Sequence, residues 1–217
     1  RLPPLVLDGD AFRFDLPRAA IADLNGDRLQ DPLWIQATGV VWFPSHGRGR
    51  FGAAEVLELG RTLSAADIER SGFSDVDGDG LVDLTTVRPD GDPNALLYWL
   101  NRFRRGLDGP HAVQGLPARG TGDALRWADM NGNGTTDIVI SQAQGAPGER
   151  ILTIDLVPGG KVHLLERIEN GIGLAVTLEY ESSTVQMVRA EAEGRPWTTA
   201  TPVPIAVVSR IVAEDGI

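Results

Sequence analysis

Three short segments of the chain repeat one pattern of oxygen-bearing side chains. Each segment places Asp or Asn at loop positions 1, 3, 5 and 9, and Gly at position 4. Odd positions of a tight turn point inward, and Gly lets the chain bend where a Cβ would clash. Calcium (Ca²⁺) binds several carboxylate, amide and carbonyl oxygens and tolerates an irregular cage better than magnesium does. The pattern therefore predicts three calcium sites.

The predicted ligands are the side chains at positions 1, 3, 5 and 9 and the backbone carbonyl at position 7. The first loop (23–31) supplies Asp23, Asn25, Asp27, Leu29 and Asp31. The second loop (75–83) supplies Asp75, Asp77, Asp79, Leu81 and Asp83. The third loop (129–137) supplies Asp129, Asn131, Asn133, Thr135 and Asp137.

Ligand charge ranks the three loops. Because carboxylates raise calcium affinity, we expect the order second, first, third. The alternative is that a loop holds no ion and is closed by hydrogen bonds from its own N–H groups. The Asn-rich third loop is the first candidate for that alternative.

The spacing of the loops predicts the architecture. Their starts lie 52 and 54 residues apart, and roughly 40 to 50 residues is the size of a four-stranded propeller blade. The sequence between them consists of short β-rich runs bounded by Gly, Pro and Asp. These runs are 18–23, 31–37, 39–44 and 54–60, then 71–75, 82–87, 95–100 and 111–116, then 124–129, 137–142 and 150–157. We predict an all-β fold, a partial β-propeller of about three four-stranded blades, with each loop between the first two strands.

Helices and aromatic residues play a small part in this prediction. The best helical turn is 64–70, with a Ser cap and an acidic first turn, and no long amphipathic helix pattern is visible. Four tryptophans fall in predicted strands: Trp34, Trp42, Trp99 and Trp127. We interpret them as packing between blades, the alternative being a platform for carbohydrate.

Composition excludes several classes of function. The net charge of −10 is concentrated in the loops, which argues against nucleic-acid binding, since phosphate contacts need a basic face. No stretch approaches the roughly 20 apolar residues of a membrane span. There is no cysteine and no nucleophile motif or zinc-spaced histidine pair, so we expect no enzyme activity. The chain starts at Arg1, which suggests a piece of a longer protein.

The C-terminal part departs from the blade pattern. Residues 174–180 alternate as a strand, with Leu174, Val176, Leu178 and Tyr180 on one face. Residues 204–212 are almost continuously apolar, which predicts burial on both faces. We expect these two strands to pair with each other or with the last blade, the alternative being the closing blade of a small domain.

The loops resemble the FG-GAP, or VCBS, repeats of integrin-α-like propellers, and Phe51-Gly52 stands where that family has its Phe-Gly. The sequences at 163–183, 194–197 and 204–211 are similar to a junction in SpvB-like and insecticidal toxin-complex B components. There the VCBS propeller meets the region before the RHS repeats. The resemblance implies blades over 1–165 and a β-hairpin-like extension over 166–217 that leads toward an RHS-type region.

The resemblance also implies a function. It points to a non-catalytic, calcium-stabilised part of a secreted bacterial toxin, extracellular although the parent also occurs in the cytoplasm before export. Such a part acts as a scaffold and as a docking and gating module. Its implied partners are other toxin-complex subunits or the remaining blades, and contact with a host surface stays open. The alternative is an adhesion or glycan-binding module on the same fold.

Overall fold

The computed structural model describes residues 5–7, 10–16, 18–88, 96–117, 122–143, 150–199, 201 and 203–215. Over these residues the protein is nearly all β, and its strands form antiparallel sheets. The predicted all-β class is confirmed. Within the described residues, no helix combines the length and the apolar composition that crossing a membrane requires.

Three sheets carry the three loops. The first has the order β3 (Ala20–Ala22), β4 (Asp31–Ile35), β5 (Gly39–Trp42) and β6 (Glu55–Glu58), preceded by a small pair, β1 (Val6–Leu7) and β2 (Asp10–Ala11). The second has the order β7 (Ser71–Ser74), β8 (Asp83–Val87), β9 (Leu96–Asn101) and β10 (Leu107–Val113). The third has the order β11 (Ala124–Ala128), β12 (Asp137–Ser141) and β13 (Ile151–Ile154). Each loop joins the first two strands of its sheet, as predicted.

The first two sheets share a hydrophobic core. Its buried members include Leu33 and Trp42 from the first sheet and Leu84 and Trp99 from the second. Trp99 donates its indole N–H to the backbone carbonyl of Leu59 at 3.0 Å, which joins the two sheets. The predicted packing role of these tryptophans is therefore confirmed, since large aromatic side chains contribute most to such cores.

Trp34 packs on the opposite face of the first sheet. It is 5% exposed and forms a second cluster with Val41 and Phe43. The ring centroids of Trp34 and Phe43 lie 5.9 Å apart, and Phe12 lies 5.7 Å from Trp34. Because its ring is enclosed by other side chains, Trp34 offers no stacking surface for a sugar.

The predicted helical turn is present as α1 (Ala65–Glu69). Ser64 and Asp67 form a reciprocal capping box, in which each side chain accepts a hydrogen bond from the other's backbone N–H. Asp67 is 7% exposed and also forms an ion pair with Arg88. The cap satisfies N–H groups that a helix start leaves without intrahelical partners.

The C-terminal extension is a fourth sheet that carries an unexpected helix. The sheet has the order β14 (Arg167–Glu169), β15 (Leu174–Ser182) and β16 (Ala206–Asp215). Strands β15 and β16 pair over nearly their whole length, which confirms the predicted pairing. Between them lies α2 (Ser183–Ala192). The sequence did not predict α2, and its valines Val185 and Val188 are exposed in the structure.

The prediction that the last apolar strand is buried on both faces is wrong. Most residues of β16 are exposed, and Ile211 is 64% exposed. A continuous apolar run fits a strand covered on two sides, but among the described residues nothing encloses β16 in that way.

Contacts between residues divide the chain into two compact units. One comprises Arg1–Val76 and Gly80–Asp123, and the other comprises Asp77–Asp79 and Ala124–Ile217. The tip of the second loop is thus grouped with the unit that contains the third and fourth sheets. The division after residue 165 that the resemblance implies stays a prediction.

Candidate metal-binding loops

The aspartate at position 9 anchors each loop. Asp31 and Asp83 are 0% exposed, and Asp137 is 1% exposed. In each case Oδ2 accepts the N–H of position 2, at distances of 3.1, 2.7 and 2.8 Å in the three loops. In the first two loops Oδ1 also accepts an N–H from beyond the third strand or at its end, Ser45 N or Asn101 N, each at 2.7 Å. This residue therefore ties the loop to its sheet.

Burial dominates the titration of the first anchor. It raises the pKa of Asp31, while the hydrogen bonds from Ser45 and Leu24 act in the opposite direction. The nearby charges of Asp27 and Asp23 raise the pKa further. A carboxyl group without a nearby cation is expected to behave in this way when it leaves water.

The aspartate at position 1 closes the turn. Asp23 accepts the N–H of Gly26 on Oδ1 and that of Arg28 on Oδ2, each at 2.7 Å. Asp129 repeats this arrangement with Gly132 at 2.7 Å and Gly134 at 2.9 Å. The position-4 glycines have φ values of 74°, 76° and 75°, so in all three loops Gly adopts the left-handed conformation that a Cβ would disfavour.

Positions 3 and 5 continue the alternation. Asn25 Oδ1 accepts the N–H of Asp27 at 3.0 Å, and Asp27 Oδ1 accepts the N–H of Leu29 at 2.8 Å. In the second loop Asp77 Oδ1 accepts the N–H of Asp79 at 3.3 Å. Oxygen side chains at odd positions thus satisfy loop N–H groups, a local role that Asp and Asn fill in turns. The carbonyls predicted as ligands at position 7 stay a prediction.

The second loop gathers the carboxylates most closely. Asp75, Asp77 and Asp83 each place one ligand oxygen within 4.8 Å of the others. Among the described residues this is the only such group of three acidic, histidine or cysteine side chains. Three oxygens at this separation form a donor set that fits a hard divalent cation. The fourth predicted carboxylate, Asp79, is not a member of this group.

A residue outside the third loop, which the sequence did not predict, binds its side chains. Asp155 follows β13, and its Oδ2 accepts the side-chain amide of Asn131 at 2.7 Å and that of Asn133 at 3.3 Å. The strand registers place Asp155 where the earlier sheets have Pro44 and Leu100. An acidic residue directly after the third strand of only one repeat was the signal that could have revealed it.

Comparison with known protein families identifies the family to which the chain belongs. Residues 109–217 match the model of the insecticide toxin TcdB middle/N-terminal region. Residues 75–140, which begin at the second loop and include the third, match the FG-GAP-like repeat. The chain belongs to the insecticide toxin TcdB middle/N-terminal family. The resemblance stated from the sequence is thereby confirmed. No curated protein matches the chain.

Solved structures agree with this assignment. A chain in the Photorhabdus luminescens Tc holotoxin pore is 27% identical, with a TM-score of 0.74 over 94% of the present chain. A chain of TcdB2-TccC3 without its hypervariable C-terminal region is 26% identical, with a TM-score of 0.74 over 95%. The chain spans 10% of the length of each of these solved chains. The match extends through the blades and the fourth sheet.

Proposed function

We propose that the chain is a non-catalytic scaffold segment of a toxin-complex component, and that its fourth sheet docks other parts of that complex. The family match and the solved Tc relatives support the toxin assignment. The relatives were solved as TcdB2-TccC3 and as a holotoxin, so a toxin-complex subunit or another part of the parent chain is the expected partner. An extracellular location and a gating role follow from the same assignment as further predictions.

The observation that carries the docking proposal is an exposed apolar face of the fourth sheet. Directly paired residues of antiparallel strands share a face. The pairs of Ile168 with Val176, Leu178 with Ile211 and Tyr180 with Val208 therefore place these side chains together. Three of them are strongly exposed: Ile168 at 50%, Val208 at 44% and Ile211 at 64%. Contiguous exposed apolar surface of this kind marks interaction sites.

The other face of the same sheet carries charged pairs. Arg167 forms an ion pair with Glu169 at 2.7 Å, and Arg210 forms one with Glu179 at 3.1 Å. A sheet with one apolar and one charged face is amphipathic in the manner of a sheet covered on one side. The apolar face is therefore the face that we expect a partner to cover. The charged pairs make the opposite face a poor apolar docking surface.

The proposed occupant is an apolar surface of the toxin-complex component itself. The solved relatives are chains of which this segment covers 10%, so most of such a component lies outside the segment. Covering the side chains of Ile168, Val208 and Ile211 would contribute roughly 25 cal/mol for each Å² of apolar area removed from water. A second copy of the segment is the competing occupant.

Ile211→Asp tests the docking face. We would measure binding of the chain to a TcdB2-TccC3-type assembly that lacks the corresponding segment, by calorimetry and gel filtration. The substitution should weaken binding at least about tenfold, because it places a charge in an apolar contact. Ile151→Asp is the matched control, since Ile151 is a strand isoleucine with 59% exposure outside this face, and it should bind normally.

Two results would contradict the docking proposal. Equal binding by wild type and Ile211→Asp would remove the face from the interface. The second result is a wild-type chain that forms a dimer in light scattering and does not bind the assembly, together with an Ile211→Asp variant that is monomeric. This result would show that the face is an interface between two copies of the chain.

Calcium in the second loop is the second part of the proposal. Asp75, Asp77 and Asp83 would hold the ion, which would neutralise three carboxylates and so stabilise the turn. At an effective dielectric of about 20, two unit charges at about 4 to 5 Å repel by roughly 3 to 4 kcal/mol before relaxation and screening. The carboxylate cluster supports this proposal.

A further inference from the structure

The third loop differs from the second in its donor set. Its predicted ligand side chains include only two carboxylates, Asp129 and Asp137, together with the amides of Asn131 and Asn133. Within the described residues, no group of three acidic side chains gathers there as it does in the second loop. The fit of a divalent cation therefore depends on whether the two amide oxygens are available.

Both amide oxygens accept hydrogen bonds within their own loop, one in the case of Asn131 and two in the case of Asn133. Asn131 Oδ1 accepts the N–H of Asn133 at 2.9 Å. Asn133 Oδ1 accepts the N–H of Thr135 at 2.8 Å and its hydroxyl at 2.6 Å. Each amide therefore has its oxygen directed at donors of its own loop.

The amino groups of the same amides bind a carboxylate. Both donate to Asp155 Oδ2, and Asn133 Nδ2 also lies 3.4 Å from the carbonyl oxygen of Val157. Asp155 Oδ1 accepts the N–H of Val157 at 2.9 Å, which fixes the carboxylate. Rotating either amide by 180° would oppose an amino group to an N–H and an oxygen to a carboxylate, so both ends of each amide favour the same orientation.

We propose that the third loop is closed without metal, by a clasp in which Asn131 and Asn133 donate to Asp155. In this clasp the partial positive charges of the two amino groups take the place of the positive charge that a cation supplies in a calcium loop. The carboxylate comes from beyond the third strand instead of from the loop. The array thus combines a loop that fits calcium with a loop stabilised by hydrogen bonds alone, and the clasp does not depend on calcium in the second loop.

One atom opposes this inference. Asp137 Oδ1 is buried and has no hydrogen-bond partner among the described residues, whereas the equivalent oxygens of Asp31 and Asp83 accept backbone N–H groups. A bound cation would satisfy this oxygen. The deciding experiment must therefore count ions as well as measure stability.

Asp155→Ala tests the clasp in the intact chain. We expect Tm to fall by about 3 to 6 °C both in Ca²⁺ and in chelator, because the lost hydrogen bonds do not involve an ion. The number of Ca²⁺ ions bound, counted by native mass spectrometry, should not change. Asp77→Ala in the second loop is the control, whose Tm loss should be larger in Ca²⁺ than in chelator.

A second variant keeps the test decisive if Asp155→Ala folds poorly. In Asn131→Asp/Asn133→Asp the loop gains two carboxylates that repel Asp155, so Tm should fall in chelator. The same variant should bind one more Ca²⁺ than the wild type. Loss of one ion in Asp155→Ala, or an unchanged ion count in the double variant, would overturn the clasp.

Discussion

At the scale of single residues, position 6 of the loops has a left-handed conformation and is occupied by Gly in two loops and by Arg in the first loop. Gly80 and Gly134 hold this position at φ values of 92° and 87°, whereas the first loop has Arg28 at 67°. An L-residue pays roughly 1 to 2 kcal/mol for a left-handed conformation. The N–H of Arg28 donates to Asp23 at 2.7 Å, so the hydrogen bond that closes the turn imposes this conformation.

Substitutions at position 6 should therefore change stability in opposite directions. Arg28→Gly should raise the free energy of unfolding by about 0.5 to 1 kcal/mol, the relief of strain less the added freedom of the unfolded chain. Gly134→Ala should lower it by about 1 kcal/mol, although among the described residues other than its chain neighbours no atom lies within 4 Å of the added Cβ. Urea denaturation in chelator measures both, and a destabilising Arg28→Gly would show that the side chain matters more than its backbone.

The ionised carboxylate of Asp67 should make the stability of the fold depend on pH. Its burial acts to raise the pKa, but hydrogen bonds from the Ser64 hydroxyl and N–H and the charge of Arg88 outweigh that effect and hold the pKa below its usual range. A lowered folded-state pKa contributes stability above the unfolded value of about 3.9, and this contribution is lost as pH falls through the folded value.

Asp67→Asn should accordingly lower stability by about 1 to 2 kcal/mol at pH 7, through loss of the charged cap. The difference from wild type should shrink as pH falls below about 4. Thermal melts at a series of pH values check this, with Glu69→Gln as a control because Glu69 is an exposed acid in the same helix. A difference that stays constant down to pH 2.5 would exclude the ionised carboxylate as the cause.

At the scale of elements, α2 connects the third loop to the fourth sheet. Ser182, the last residue of β15, caps the helix by accepting the N–H of Thr184 at 3.1 Å. The same hydroxyl donates to the carbonyl of Gly132 at the turn of the third loop. Thr184 packs so close to Gly132 that a Cβ there would lie 2.9 Å from its Cγ2. The helix start is therefore linked to the third loop by a hydrogen bond and by close packing.

Removing this link should destabilise both elements. Ser182→Ala should cost about 1 to 2 kcal/mol, since it removes a cap and leaves a carbonyl without its donor. Hydrogen exchange should accelerate in α2 and also in the third loop. Ser182→Thr keeps the hydroxyl and should retain most of the protection, while acceleration confined to α2 would show that the loop does not depend on the helix.

At the scale of the whole molecule, the proposed ion should appear as a calcium-dependent melting temperature. An ion present at about one hundred times its Kd stabilises the folded state by about 2.7 kcal/mol, which corresponds to roughly 5 to 10 °C for a chain of this size. We expect chelator to lower Tm by this amount and Asp77→Ala to remove part of the response. An identical melting curve with and without chelator would leave the second loop as a purely hydrogen-bonded turn.

The sequence alone was sufficient for the repeating parts of the protein. Strands, loops and the left-handed glycines recur with each repeat, so their signals are local and reinforce each other. The Ser cap and the acidic first turn of α1 were also visible in the sequence, because these residues lie within one helical turn of each other. The family followed from such local motifs as well.

Tertiary structure decided what depends on partners distant in sequence. The gathering of Asp75, Asp77 and Asp83 follows from loop folding, but the contacts of Asn131 and Asn133 with Asp155 cross from one strand connection to another. The pattern of apolar residues along a strand cannot show which of its faces packs against another element. For this reason the burial of β16 on both faces was predicted wrongly. Covering an apolar run requires a surface elsewhere, and only the folded chain shows where such a surface lies.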